Sequence, residues 1–284
     1  MIADTAGSVR HATLTVGDFI FGTTPGMHEV RMTLEQALSD DLPVLIEGES
    51  GTGKEMAARY LHLRSGRALA PFVRVNCGAV STGFLEKEIF GGIGTQQPGN
   101  GSMGLVANGT LFLDEIVEMD SCLQQKVVEA LKNSRFGNEG AISMNARIVC
   151  ASSVDVETAA SRESACRGLS DQFGYRVRLL PLRERKQDIP QLCEHLIERF
   201  ARNFGRPAPR LSSSVLGAFE EWSWPGNIRE LENWIARIVI FGTEEAIGLE
   251  FRRQMASRGS AVPVRHRAVR VNGSHLRRSR HGHT

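Results

Sequence analysis

The 284-residue chain has no long apolar runs and no closely spaced cysteine pairs, and we expect no signal peptide at its start. No apolar stretch reaches the roughly 20 residues of a membrane-spanning helix, so we expect no membrane association. Met1–Arg10 has neither the basic start nor the apolar core of a signal peptide, which predicts a cytoplasmic protein. Without CxxC pairs or zinc spacing, the cysteines are predicted to be reduced and buried; they are Cys77, Cys122, Cys150, Cys166 and Cys193.

Acidic residues are absent from the end of the chain. Ser257–Thr284 contains seven arginines, four histidines and no aspartate or glutamate, although the whole chain carries a net charge of only +2. With few large apolar residues, this segment is predicted to be disordered. It could bind nucleic acid without sequence preference through phosphate contacts, or it could be a solvated tail without a function. Both interpretations stay open.

What the sequence does contain is a glycine-rich loop directly after an apolar run. Val44–Ile46 is typical of a buried parallel strand, and it is followed by Gly48-Glu49-Ser50-Gly51-Thr52-Gly53-Lys54-Glu55. The glycines allow a backbone nest whose N–H groups converge on phosphate oxygens, and a helix begins at the same point. Lys54 would reach the β- and γ-phosphates of a nucleotide. The strand–helix context favours this interpretation over a turn without a ligand.

A second motif places two adjacent carboxylates, Asp114 and Glu115, behind the apolar run Thr110–Leu113. Ligands of an open α/β sheet bind at the carboxyl ends of its strands. Asp114 is therefore predicted to hold Mg²⁺, directly or through water, and Glu115 to polarise the attacking water. An acidic pair alone would more often cap a helix, but the phosphate-binding loop upstream favours the metal site.

Apolar and alternating runs predict five strands separated by segments with helical periodicity. Strands that alternate with helices form a parallel sheet covered on both faces, so the predicted fold class is α/β. The predicted strands lie near residues 44–46, 72–76, 110–113, 147–151 and 177–180.

Beyond Pro181 the periodicity is only helical, which predicts a helical subdomain. Its three helices have predicted N-caps at Asp188, at Ser212 or Ser213, and at Asn227. On the third helix, Arg229 lies about 200° from the apolar face. An arginine at a helix start gains nothing from the helix dipole, so we predict that it binds an anion, the alternative being an exposed surface arginine. If the helical subdomain packs beside the nucleotide, this anion would be the γ-phosphate.

With these motifs in place, Phe21–Phe241 resembles the AAA+ ATPase domain of bacterial enhancer-binding proteins, the activators of sigma-54 RNA polymerase. The most specific matches are Val44–Glu55, Val75–Cys77, Gly109–Ile116, Pro181–Arg185 with Asp188–Pro190, and Trp224–Asn233. The resemblance implies an AAA+ P-loop NTPase with a parallel five-stranded sheet and a C-terminal helical lid. We accordingly divide the chain into a loose N-terminal segment (1–18), an α/β subdomain (19–183), a lid (184–250) and a basic tail (251–284).

The resemblance also implies roles for matched positions. Walker A corresponds to Gly48–Glu55, and Walker B to Asp114 and Glu115. Asn76 matches the asparagine that holds the catalytic glutamate inactive, and Arg229 matches sensor II. A glutamate after the P-loop lysine is usual in this family, which puts Glu55 beside Mg²⁺. The family forms hexameric rings, so we expect assembly with copies of this chain or a paralogue, with ATP bound between subunits.

Two departures from the family pattern concern the binding of sigma-54 and the rate of ATP hydrolysis. The loop that contacts sigma-54 normally carries a phenylalanine, but Gly92–Gly101 is shorter and has no aromatic residue. The segment that supplies trans arginine fingers is reduced to Gly168–Arg176, in which Arg176 stands in for the second finger and the first has no counterpart. Such fingers contribute about 10³–10⁵ in rate in related phosphoryl transfer.

Two functions therefore compete. The first is an ATPase that regulates sigma-54-dependent transcription by remodelling the polymerase. The second is a nucleotide-binding regulatory subunit that assembles with true activators or with polymerase but does not remodel it. Intact Walker motifs favour the first function, and the altered loop and fingers favour the second.

Overall fold

A computed structural model of the chain describes residues 21–79, 81–90, 106, 108–136, 146–162, 169–244, 248–251 and 253. The helices over these residues are α1 (Pro25–Gln36), α2 (Lys54–Arg64), α3 (Thr82–Phe90), α4 (Ser121–Phe136), α5 (Val156–Arg162), α6 (Ile189–Phe204), α7 (Ser213–Glu221) and α8 (Asn227–Phe241). The strands are β1 (Val44–Glu47), β2 (Phe72–Asn76), β3 (Thr110–Asp114), β4 (Arg147–Ser152) and β5 (Tyr175–Arg178).

The strands form one sheet in the order β2-β3-β4-β1-β5, and neighbouring strands are parallel. Every strand therefore ends at the same edge. Glu47 pairs with Ser152 there, and Asn76 pairs with Asp114. The parallel five-stranded sheet and the helical region after it confirm the predicted fold class. The common edge explains why residues far apart in sequence meet at one site.

The fifth strand was predicted two residues too late. It runs over Tyr175–Arg178, where only Val177 is buried and its neighbours are intermediate or exposed. An edge strand alternates between a buried and an exposed face, whereas the prediction followed the apolar residues Leu179 and Leu180. Leu179 still donates its N–H to the Glu47 carbonyl at 2.8 Å, and Pro181 follows shortly after.

Apolar side chains cover both faces of the sheet. One cluster joins it to α3 and α4 through residues such as Leu85 and Val127, and the other joins it to α1 and α2 through Leu34 and Leu61. A third cluster, in which Phe251 contacts the rings of Trp222, Trp224 and Trp234, holds α6, α7 and α8 together. Fully burying such a side chain contributes about 1.5–3 kcal/mol, so each half of the molecule has its own source of stability.

Of the three predicted lid caps, only the second makes a side-chain cap hydrogen bond. Ser212 Oγ accepts a hydrogen bond from the Val215 N–H at 3.3 Å at the start of α7. Asp188 is the N-cap residue of α6, as predicted, but its carboxylate accepts from the backbone N–H groups of Thr23 and Thr24 at 2.7 and 3.2 Å instead of from the first turn of the helix. It thus ties the start of α1 to the start of the lid. Gly22, at φ +76°, leaves room for this carboxylate, because a Cβ there would lie 2.2 Å from Asp188 Cγ.

The prediction for Asn227 was also wrong. The N-cap of α8 is Gly226, and Asn227 adopts a left-handed conformation with φ +52°. Its side chain points to the glycine-rich loop and is fully buried. Glu230 reaches back to this N-cap, because its carboxylate accepts from the Gly226 N–H at 2.9 Å.

Several expectations fall on other parts of the chain. The N-terminal segment, the Gly92–Gly101 loop, Cys166 and nearly all of the basic tail lie outside the described residues. Among the described cysteines, Cys77, Cys150 and Cys193 are buried as predicted, whereas Cys122 in the first turn of α4 is exposed. Burial raises the pKa of the Cys77 thiol to about 12.

Within the described part of the chain, no helix has the length and apolarity that a bilayer crossing requires.

Candidate nucleotide-binding site

A cavity of about 360 Å³ lies between the carboxyl edge of the sheet and the lid helices. This size is within the range of small-molecule sites. Among the predicted site residues, those that line it are Ser50, Gly51, Gly53, Lys54, Glu55, Asp114, Glu115 and Arg229. The lid adds side chains that the sequence analysis did not single out, including His195, Arg199 and Glu232.

The glycine-rich loop curls through three positive-φ glycines, Gly48, Gly51 and Gly53. Gly53 is the residue before α2, and no side chain caps the first turn of that helix. The amide groups of this turn and its positive dipole end therefore face the cavity mouth, which is the arrangement that binds phosphate. The backbone agrees with the sequence prediction of a phosphate-binding loop.

Lys54 is largely buried and uses its ammonium group within the site. The group donates to the Gly48 carbonyl at 2.8 Å and to Ser153 Oγ at 2.7 Å, and it lies 3.2 Å from Glu115 Oε1. A phosphate oxygen that entered the loop would replace these neighbours as an acceptor. The loop thus holds the lysine in place, and the lysine adds a positive charge to the loop.

Glu115 follows β3 in a left-handed conformation with φ +58°, which is uncommon outside functional sites for a residue other than glycine. This backbone turn aims its carboxylate at Ser153, which donates its backbone N–H at 2.7 Å and also its hydroxyl. Burial raises the pKa of Glu115, but the Ser153 hydrogen bonds and the charge of Lys54 outweigh burial and lower it overall. The group is therefore a carboxylate at neutral pH.

Asp114 and Glu55, the two predicted metal-side carboxylates, share one partner. Arg74 Nη2 lies 2.7 Å from Asp114 Oδ2, and its Nη1 lies 2.8 Å from Glu55 Oε2. Arg59 contacts the other Glu55 oxygen at 2.9 Å and stacks over Phe72. The side of the cavity on which Asp114 and Glu55 lie, where the metal is predicted, thus already contains a guanidinium.

On the opposite side, the lid and the segment that leads into it bind the glycine-rich loop through several contacts. Arg183 forms two hydrogen bonds to the Glu49 carboxylate at 2.8 and 2.6 Å. Asn227 Nδ2 donates to Glu49 Oε2 at 3.2 Å and to the Ser50 carbonyl at 3.0 Å, while its Oδ1 accepts from the Leu182 N–H at 2.8 Å. These contacts lower the pKa of Glu49 to about 2, with the Arg183 hydrogen bonds contributing most.

Two further lid contacts reach the loop backbone. The Ile228 N–H donates to the Gly51 carbonyl at 3.0 Å, and the buried Arg185 donates to the Thr52 carbonyl at 3.2 Å. Burial lowers the pKa of Arg185 to about 10, so it stays charged at neutral pH. The approach is so close that a Cβ on Gly51 would lie 2.3 Å from the Gly226 carbonyl oxygen. Glycine is therefore required at this position for packing as well as for its φ of +81°.

The remaining predicted residues have different positions. Arg229 is exposed on the cavity side of α8, and its Nη1 donates to Ser50 Oγ at 3.3 Å. Asn76 ends β2 beside Asp114, and its Oδ1 accepts from the Gly78 N–H at 3.1 Å. Arg176 lies on β5 and pairs with Glu157 and Glu47, and it is not among the described residues that line the cavity.

The carboxylates that line the cavity fit Mg²⁺ if phosphate oxygens of a nucleotide complete the coordination shell of the metal. Among the described residues, no group of three or more His, Cys, Asp or Glu side chains could hold a metal by itself. Mg²⁺ typically takes one or two carboxylates together with phosphate oxygens and waters. The Asp114 carboxylate, at a strand end on the cavity wall, is such a donor.

Sequence reasoning missed Arg74 and the contacts that Ser153 and Arg183 make; the family resemblance had matched Ser152-Ser153 only to the sensor I position. Signals for the first two were present, because residues i and i+2 of a strand share a face. Arg74 therefore shares a face with Asn76, and Ser153 directly follows β4 at the edge that binds ligands. The partner of Arg183 lies 134 residues away, and no local pattern identifies it.

Comparisons with known proteins agree with this geometry. A sequence profile described as the sigma-54 interaction domain matches residues 20–183, and one described as the AAA+ ATPase lid domain matches residues 183–262. The chain belongs to the sigma-54 interaction domain family. This confirms the family resemblance derived from the motifs.

Curated relatives of this sigma-54 interaction domain are regulators. The chain is 38% identical over 224 residues to the Nif-specific regulatory protein of Azospirillum brasilense, and the match covers 76% of this chain and 36% of that protein. It is 35% identical over 263 residues to the C4-dicarboxylate transport transcriptional regulatory protein DctD of Rhizobium meliloti, covering 87% and 55%. The chain thus spans roughly a third to a little over half the length of these relatives.

Solved structures give the same fold. NtrX from Brucella abortus in complex with ATP superposes with a TM-score of 0.68 at 28% identity, covering 83% of this chain and 54% of that chain. Its complex with ADP superposes with a TM-score of 0.68 at 27% identity, covering 79% and 52%. These matches confirm the AAA+ P-loop architecture.

Proposed function

We propose that this sigma-54 interaction domain binds ATP with Mg²⁺, hydrolyses it to ADP and phosphate, and thereby regulates sigma-54-dependent transcription. The observation that supports this most is the cluster of Lys54, Ser153 and Glu115 at the mouth of the glycine-rich loop. It combines a phosphate-binding cation with an ionised carboxylate in one cavity. The ATP-bound structure of NtrX and the regulatory relatives support the nucleotide and the process.

Binding rests on the loop and the lid. Amide groups of Gly51 to Glu55 and the start of α2 would accept the phosphates, and the Lys54 ammonium would move from Gly48 and Ser153 to phosphate oxygen. Arg229 would follow from Ser50 Oγ to the γ-phosphate, which couples the lid to the state of the nucleotide. When bound, Mg²⁺ would be held by Asp114, with Glu55 beside it, and would neutralise charge on the phosphates.

Hydrolysis needs a base, and Glu115 is the one that the cavity offers. Its lowered pKa keeps it ionised at neutral pH, so it can accept a proton from a water molecule aligned with the γ-phosphate. In the present arrangement it faces Ser153 and Lys54 instead. We propose that nucleotide binding releases it by recruiting Lys54, and that Asn76, beside Asp114, restrains it between turnovers.

Ring assembly and turnover rate follow from the same proposal. We propose that the domain acts in a ring with copies of itself or a paralogue, and that Arg176 supplies a trans finger. Because Arg176 is paired with Glu157 and Glu47, it would have to exchange these partners to reach a neighbouring site. A low rate of hydrolysis is therefore expected, since such fingers contribute about 10³–10⁵ in related enzymes.

A second candidate is a nucleotide-binding regulatory subunit that assembles with true activators or with polymerase but does not remodel it. The intramolecular pairing of Arg176 and the absence of an aromatic residue from Gly92–Gly101 favour this candidate. An interface without its apolar anchor loses the residue that usually dominates binding. The basic tail is proposed as a salt-sensitive phosphate contact in either case.

Two substitutions separate binding from hydrolysis. Lys54→Ala should abolish ATP binding in calorimetry, whereas Glu115→Gln should keep binding and lower turnover by about 100-fold or more. Lys87→Ala and Glu118→Gln are matched controls, because both residues are exposed and neither lines the cavity. If ATP produces no saturable heat with the unsubstituted protein, the nucleotide proposal is wrong.

Turnover against protein concentration then distinguishes the two candidates. Active sites shared between subunits require the specific ATPase rate to rise cooperatively with concentration. If the protein binds ATP but does not hydrolyse it at any concentration, either alone or mixed with a complete activator, the ATPase proposal is wrong and the regulatory-subunit proposal is supported. The proposed partner is tested by measuring binding to sigma-54 in the presence of a transition-state analogue. The measurement is made before and after an aromatic contact loop is grafted over residues 92–101.

A further inference from the structure

The side of the cavity where the metal is predicted, called the metal side below, contains the guanidinium of Arg74. Arg74 projects from β2, and its two terminal nitrogens contact Asp114 and Glu55 at 2.7 and 2.8 Å. These are the two carboxylates that face a nucleotide-bound metal under the proposed function. All three side chains line the cavity, and the Arg74 side chain is 39% exposed.

A guanidinium and a divalent cation compete for the same oxygens. The guanidinium can release the carboxylates by rotation, because both ion pairs are partly exposed and such pairs contribute little to stability. Free Mg²⁺ must also surrender part of a tightly held water shell, whereas Mg²⁺ on a nucleotide arrives with phosphate oxygens already attached.

We propose that Arg74 is a positioning residue that blocks the metal side of the cavity to free divalent cations and gives way only to a metal that enters with nucleotide. This inference rests on the proposed nucleotide site, and it adds a control on the order of loading. Arg59 does not share this role. Of the two carboxylates it contacts Glu55 and not Asp114, and its guanidinium is held over the ring of Phe72.

Mn²⁺ provides the probe, since electron paramagnetic resonance counts the free ion directly. Without nucleotide, the unsubstituted protein should bind Mn²⁺ weakly, and Arg74→Gln should bind it about five- to tenfold more tightly, because two ion pairs no longer oppose the metal. Arg74→Lys should stay within about twofold of the unsubstituted protein, because a cation remains at the carboxylates. Arg59→Gln is the matched control, with a change below about twofold.

The double variant Arg74→Gln/Asp114→Asn should lose the gain, which places the bound Mn²⁺ at Asp114. If Arg74→Gln leaves Mn²⁺ affinity unchanged or lowers it, the proposed block does not exist. Binding of a fluorescent ADP is measured separately on the same proteins. A chain that binds no ADP overturns the proposed function, whereas an unchanged Mn²⁺ titration overturns the role of Arg74 alone.

Discussion

The two sides of the nucleotide cavity are built differently. On the lid side, Asn227, Ile228 and Arg185 bind backbone groups of the glycine-rich loop; the Arg185 contact is buried and the Asn227 contact is partly buried. On the strand side, Arg74 joins Asp114 and Glu55 through partly exposed ion pairs. Buried hydrogen bonds are costly to leave unmade, while exposed ion pairs contribute little. The lid side therefore sets the shape of the loop, and the strand side can exchange partners as ligands enter.

The largest effect that this comparison predicts is that of Gly51→Ala. Its Cβ would lie 2.3 Å from the Gly226 carbonyl oxygen, and its φ of +81° is unfavourable for alanine. We expect a loss of about 3 kcal/mol in the free energy of unfolding, with loss of nucleotide binding. Urea denaturation measures it. Gly217→Ala in α7 is the control, because no atom lies within 4 Å of that Cβ and alanine favours a helix.

Asn227→Ala should have the next largest effect. It removes side-chain hydrogen bonds to the Leu182 N–H, Glu49 and the Ser50 carbonyl from a fully buried position. We expect about 2 kcal/mol of destabilisation in the same assay, because buried partners are left unsatisfied. Asn233→Ala, on the exposed face of the same helix, should change stability by less than about 0.5 kcal/mol. Equal effects at the two positions would contradict a structural role for the lid side.

Glu49→Gln tests the charged contact on the lid side through its pH dependence. Because the pKa of Glu49 is lowered from 4.5 to about 2, its stabilisation is complete above about pH 4.5 and is lost as the pH falls toward 2. The carboxylate is partly exposed, so we expect only about 1 kcal/mol at pH 7. Urea denaturation from pH 7 to pH 3 should show the two proteins converging.

The smallest effect on stability should come from Arg74→Gln on the strand side. Two partly exposed ion pairs are lost, and the free energy of unfolding should change by less than about 1 kcal/mol, even though Mn²⁺ affinity changes. Thermal melting of the nucleotide-free protein measures this. A loss as large as that of Asn227→Ala would show that the strand side is structural as well, and the comparison would fail.

Much of the framework follows from local patterns. Apolar runs identified the five strands, the loop at 48–55 and the carboxylates after β3, because burial and glycine content are properties of a few neighbouring residues. The family motifs identified Arg229, which does line the cavity. The fifth strand was displaced because the prediction followed the apolar residues Leu179 and Leu180, whereas the edge strand alternates between buried and exposed residues.

The partners of polar side chains were decided by the tertiary structure. Asp188 and Asn227 both have the residue types of helix caps, yet each bonds a segment more than 40 residues away in the chain. Local sequence determined that these groups need hydrogen-bond partners, as every buried polar group does. Which partner each one met depended on how the sheet edge and the lid came together, because that packing alone brings residues of distant sequence within 3 Å of one another.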